Sequence, residues 1–133
     1  MTSGNSLTAR ARLVGVLAGF GALLAFAGCG STDDPRPATW SYIYPAIVEP
    51  SCATASCHSD IARKSDLDFG DKATAYDNLK ARFFIIPGHS DQSEVVYLMR
   101  AQGARRMPPD FALPEADIQL FENWINTGAD PNK

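Results

Sequence analysis

Residues 52–58 read Cys-Ala-Thr-Ala-Ser-Cys-His, and this loop constrains the chain more than any other stretch. Two thiols separated by four residues, with an imidazole directly after the second, put three reactive or ligating groups into one short segment. Core packing requires none of them. The intervening Ala53, Thr54, Ala55 and Ser56 are all small, so the loop can bulge and still keep both sulfurs on one face. The rest of the chain must supply a scaffold that lets such a loop face something.

A third cysteine, Cys29, stands apart. Arg10 and Arg12 precede an uncharged apolar run of about 15 residues from Leu13 to Ala27, which is shorter than the roughly 20 residues of a membrane-spanning helix. The run ends in Phe26-Ala27-Gly28-Cys29, and in this it resembles a bacterial lipoprotein signal peptide. That resemblance implies removal of residues 1–28 and lipidation of Cys29, leaving Cys52 and Cys57 as a pair. It also implies an exported domain on the periplasmic side of a membrane, anchored through its N-terminal lipid. Gly30 after Cys29, rather than Asp, resembles lipoproteins sent to an outer membrane rather than an inner one. Residues 29–38 are polar and rich in breakers, as expected of a lipid-anchored flexible stalk.

Residues 39–133 are expected to form one small all-α domain. The whole chain has a net charge of −3, and the first 28 residues contain two of its basic side chains and none of its acidic ones. The remaining part is therefore more acidic still, which argues against nucleic acid as a partner. Trp40, Tyr44, Ile47 and Val48 fall at helical spacing, with Thr39 a candidate cap, Pro45 a kink or first turn, and Pro50 a stop. Leu67 to Phe69 reads as extended, and Asp71 can cap a helix over Ala73 to Ala81 that buries Tyr76 and Leu79. Phe83 to Ile86 reads as a buried extended segment. Ser93 opens a helix that Gly103 ends, with Met99 in the core. Pro108 and Pro109 forbid a helix around Met107, so that methionine sits in a stiff loop. The last helix has Pro114 at its first position, stops at Gly128, and carries Ile118, Phe121, Trp124 and Ile125 as one stripe. That stripe suits packing of the C-terminal helix against Trp40 and Tyr44 of the N-terminal one.

Covalent haem attachment uses two thiols on one edge of the porphyrin and an adjacent histidine reaching the iron, commonly with two residues between the cysteines. Here the spacer is four. Cys52 to His58, then Pro87-Gly88 and Ser93, then Met107-Pro108-Pro109, then Trp124-Ile125-Asn126-Thr127-Gly128-Ala129, together resemble a class I c-type cytochrome domain. The resemblance is closest to exported bacterial variants in which a Met-Pro-Pro loop precedes a terminal Trp-Ile-x-x-Gly-Ala helix. It implies one covalent haem c held by thioethers to Cys52 and Cys57, His58 as proximal iron ligand and Met107 as distal ligand. Two filled axial positions imply an electron carrier that hands electrons to a redox partner protein, with no catalytic residue and no substrate turnover.

The residues alone leave alternatives open. Cys52 and Cys57 can instead close a local disulfide in a haem-free binding or scaffold module of the cell envelope. A zinc site would need a fourth ligand, and a thiol-disulfide oxidoreductase the two-residue spacer. His89, in a Pro-Gly-His-Ser turn, is the other candidate distal ligand, and Met107 could simply fill the core. Arg105 and Arg106 suit buried propionates, an acidic partner or plain solvent exposure.

Overall fold

The computed structural model describes residues 34–133. Cys29 and the expected signal peptide lie outside these residues. The fold is all-helical, with no strand among the described residues.

The first helix, α1, runs over residues 40–51 in three parts. Trp40–Ile43 is α-helical, Tyr44–Val48 widens to a π-helix, and Glu49–Ser51 returns to α. Pro45 explains the widening, because its ring crowds the carbonyl four residues back and it has no N–H to donate. The Glu49 N–H accordingly reaches back five residues to the Tyr44 carbonyl. Pro50 does not stop the helix as expected. Ser41, Pro45, Ala46 and Pro50 are all exposed, so the carbonyls left unpaired by the prolines meet water. Thr39 contributes its backbone carbonyl to the Tyr42 and Ile43 amides, and its side chain caps nothing.

Helix α2, Lys72–Ala81, starts as expected: one Asp71 oxygen accepts from the Ala73 and Thr74 amides, both at 3.0 Å. The Thr74 hydroxyl, with the Thr74 and Ala73 amides, holds the Asp71 carboxyl below its usual range. Its far end departs from expectation. Phe83 is left-handed (φ 57) and its ring is 76% exposed, while Ile85 is buried. The left-handed turn after α2 reverses the chain and throws the Phe83 side chain outward, so the buried extended segment begins one residue later.

Helix α3, Glu94–Arg100, follows a Ser93 that is 2% exposed and does not cap it. The Ser93 hydroxyl donates to the His89 carbonyl and accepts from the Ile86 amide, stitching the 86–93 turn. The helix ends at Arg100, ahead of Gly103, which starts a separate 3-10 turn, Gly103–Arg105. Helix α4, Glu115–Asn126, has Pro114 just outside its first turn. Its other end is a Schellman closure: the Gly128 amide bonds to the Ile125 carbonyl and the Ala129 amide to the Trp124 carbonyl. Gly128 has φ 106, a conformation that favours glycine.

Helices α1 and α4 meet through aromatic rings. Trp40 and Trp124 stack with centroids 4.9 Å apart, and Phe121 stands edge-on to both. Each buried indole N–H is satisfied, Trp40 by the Lys72 carbonyl and Trp124 by the Asp130 carbonyl. Tyr44 donates its hydroxyl to the Phe69 carbonyl, fastening α1 to the chain ahead of α2. Arg100 of α3 forks onto Glu115 and Glu122 of α4. Residues 34–38, expected in the stalk, are tied to the domain, since Arg36 pairs with Asp34 and with Asp117 of α4. No helix among the described residues is long and apolar enough to cross a membrane.

Replacing Trp124 by Ala removes the stack and opens a cavity at the α1–α4 contact. The expected loss is about 3–5 kcal/mol of unfolding free energy, read as a lower denaturant midpoint.

Candidate functional site

A cleft of about 200 Å³ lies between the end of α1, the 52–69 loops, α3 and the loop before α4. Ile47 and Val48 line it from α1, Val95, Leu98 and Met99 from α3, and Phe121 from α4. Cys52, Cys57, His58 and Met107 all open onto it. The four haem-site residues expected from the sequence are thus brought together, although Met107 stands 49 positions beyond His58. His89 is exposed and does not line the cleft. Cys29 lies outside the described residues.

The thiols sit where α1 ends. Having opened into its π turn, α1 terminates with the Cys52 and Ala53 amides both donating to the Val48 carbonyl. The loop then folds back: the Cys57 amide donates to the Thr54 carbonyl and the His58 amide to the Cys52 carbonyl. That last bond closes the four-residue bulge and sets His58 beside Cys52. Ser59 is buried and accepts the Ala62 amide through its hydroxyl, turning the chain after His58. Both cysteines are free thiols. Burial pushes the Cys52 thiol up to about 12, whereas the hydroxyls of Thr54 and Ser56 hold the Cys57 thiol below its ordinary value.

His58 is oriented by two contacts. Its Nδ1 lies 2.9 Å from the Lys64 carbonyl, and because a carbonyl only accepts, Nδ1 carries the proton. The lone pair is therefore on Nε2. The Phe69 ring lies 5.0 Å from the imidazole, tilted against it. Burial lowers the His58 pKa from its ordinary 6.5, so the ring is neutral at pH 7 and able to ligate.

Met107 is placed from α3. Its amide donates to the Leu98 carbonyl in the last turn of that helix, which also accepts the Ala101 amide. The Met107–Pro108 peptide is cis. Arg106 folds its guanidinium back onto the same loop, donating to the Pro108 and Pro109 carbonyls at 3.3 and 3.1 Å. Arg105 instead lies exposed, its guanidinium 5.0 Å from the centre of the Tyr97 ring. The two arginines, a single basic pair in sequence, thus have separate environments. Met107 remains 38% exposed at the mouth of the cleft.

These residues fit a haem. Carbon-rich walls suit the porphyrin faces, two thiols line the cleft, and an imidazole nitrogen and a thioether are available to an iron. No buried side-chain nitrogen or oxygen among the described residues lacks a partner. Among the same residues no three His, Cys, Asp or Glu side chains gather as an ion site.

Differential alkylation of the reduced, haem-free protein reports this asymmetry. Cys57 is expected to react with iodoacetamide near neutral pH, with Cys52 lagging until the pH approaches 12. Peptide mass spectrometry that finds equal labelling at neutral pH would contradict the separation of the two thiols.

Comparison with known proteins adds one match. Neither the curated proteins nor the solved structures gave a match to the chain. Residues 55–110 match the family model described as Planctomycete cytochrome C, a span that contains Cys57, His58 and Met107 and begins just after Cys52. On an all-helical domain whose cleft collects those residues, this match supports a cytochrome c-like domain.

Proposed function

We propose that the chain is an electron-transfer protein carrying one covalent haem c, with His58 and Met107 as axial ligands. The observation that carries the reading is the opening of Cys52, Cys57, His58 and Met107 onto a single apolar cleft. When bound, haem supplies a one-electron iron couple at neutral pH.

The protein's own contributions follow from the site. Cys52 and Cys57 hold the group by two thioether bonds. His58, with its proton fixed on Nδ1, offers Nε2 to the iron. Met107 offers a thioether, which favours the reduced state and raises the potential. Its loop, stiffened by Pro108 and Pro109 and bound by Arg106, keeps that ligand in place as the charge on the site changes. The apolar walls limit water, and the mouth beside Met107 gives a redox partner protein an approach. With His58 and Met107 both serving as ligands to the iron, the domain would relay electrons and would not turn over a substrate.

The same reading makes the protein a lipoprotein, exported and attached by Cys29 to the periplasmic side of a membrane, the outer one in preference. Its support is the resemblance of residues 1–29 to a lipoprotein signal peptide.

The deciding measurement is intact mass and absorption of the exported protein. A mass increase of one haem per chain, with a c-type spectrum, is expected. A colourless protein with a Cys52–Cys57 disulfide would instead make it the haem-free envelope module.

In the haem-loaded protein, Met107→Ala should keep the covalent haem and abolish the weak sulfur-to-iron band in the red. An unchanged band excludes Met107 as ligand. Cys29→Ser should move the protein from the membrane to the soluble fraction, and retention at the membrane would show that another segment anchors it.

A further inference from the structure

Residues 63–66 form the most contorted stretch of the described backbone. Arg63 (φ 41), Ser65 (φ 57) and Asp66 (φ 57) are all left-handed and none is glycine. Such residues persist only where their surroundings hold them, and clusters of them mark functional constraint. The residue they enclose is Lys64. Its amide donates to the Cys57 carbonyl at 3.0 Å, and its carbonyl accepts both the Leu67 amide at 3.2 Å and the His58 Nδ1 proton at 2.9 Å. The contortion thus turns one carbonyl onto the imidazole.

What holds the contortion is an arginine from the next helix. Arg82, at the end of α2, donates through Nη1 to the Ser65 carbonyl at 3.0 Å and through Nη2 to the Asp66 carbonyl at 3.2 Å. At the loop's other end Arg63 donates to the Asp60 carbonyl and pairs with Asp68. Among the described residues, Arg82 supplies the one side-chain hydrogen-bonding hold on residues 63–66 from outside the 57–69 segment.

We propose that Arg82 is a positioning residue for His58: by fixing the Ser65 and Asp66 carbonyls, it locks the Lys64 carbonyl on Nδ1–H and so sets the donor strength of Nε2. The proposal rests on His58 being a haem ligand. A firm Nδ1–H bond to a carbonyl raises the basicity of the ligating nitrogen and favours ferric iron. Loosening it weakens the donor and raises the reduction potential. The charge of Arg82 acts in the reverse direction, since a nearby cation favours the reduced state and its removal lowers the potential. Arg82→Lys separates the two effects, because it keeps the charge and loses the planar fork.

The test is redox titration of haem-loaded Arg82→Lys against the unsubstituted protein. An upward shift is expected, on the order of tenfold in the one-electron equilibrium or about 59 mV. Faster solvent exchange of the His58 Nδ1 proton in proton NMR of the reduced protein should accompany it. An unchanged or lower potential, or unchanged exchange, overturns the proposal. If the unsubstituted protein carries no haem, the proposed function fails by itself, and nitrogen-15 NMR of His58 in the haem-free protein still tests the clamp. There Nδ1–H alone is expected in the unsubstituted chain and a tautomer mixture in Arg82→Lys; a pure Nδ1–H form in both overturns it. Should the lysine variant not accumulate, Arg82→Gln takes its place in the exchange and tautomer measurements, with the same opposing outcomes.

Discussion

The stacking of Trp40 on Trp124 is the contact on which the rest of the structure depends. It joins the first and last helices of the domain and places Phe121 edge-on to both rings, with Tyr76 alongside. Large rings bury much apolar area per residue, which matters in a domain with a modest core. The contact also has a directional consequence. With α1 fixed at Trp40, its π turn carries Ile47 and Val48 to the cleft and delivers Cys52 at the end. With α4 fixed at Trp124, Phe121 is delivered to the same cleft.

The site itself is assembled largely by backbone carbonyls acting on side chains and amides. The Cys52 carbonyl holds the His58 amide, the Lys64 carbonyl holds the His58 ring, and the Leu98 carbonyl holds the Met107 amide. Two of these lie in irregular loops, where a carbonyl can be aimed freely because no helix claims it. Arginines stabilise those loops by forking onto further carbonyls, Arg82 near His58 and Arg106 beside Met107. Both ligand candidates are thus placed by backbone and steadied by a guanidinium.

Several of these features were legible in the sequence. The Asp71 cap, the apolar stripe of the last helix, its closure at Gly128 and the loop position of Met107 each rest on residue types with a narrow conformational range, and each is found. The convergence of the two cysteines, His58 and Met107 followed from the order of motifs. What could not be read depends on choices the residue types do not announce. Two prolines five apart ordinarily break a helix, and only their shared exposed face lets α1 continue as a π turn. Arg63, Ser65, Asp66 and Phe83 adopt left-handed backbone without being glycine, so neither the aim of the Lys64 carbonyl nor the exposure of Phe83 had a signal. Arg106 was visible as part of a basic pair, but its turn back onto its own loop was not.

Phe121, Ile47 and Val48 belong at once to the hydrophobic core and to the wall of the cleft. The domain therefore has no separate foundation beneath its site. A group seated in the cleft adds apolar contacts to the same side chains that hold the helices together, so filling the cleft and consolidating the fold draw on one free energy. Were that group covalent haem, as proposed, the gain would be permanent, because a tethered group cannot be lost by dilution. A chain that never acquires the group is left with the thinner version of its own core, and proteases that sample transient openings can tell the two apart.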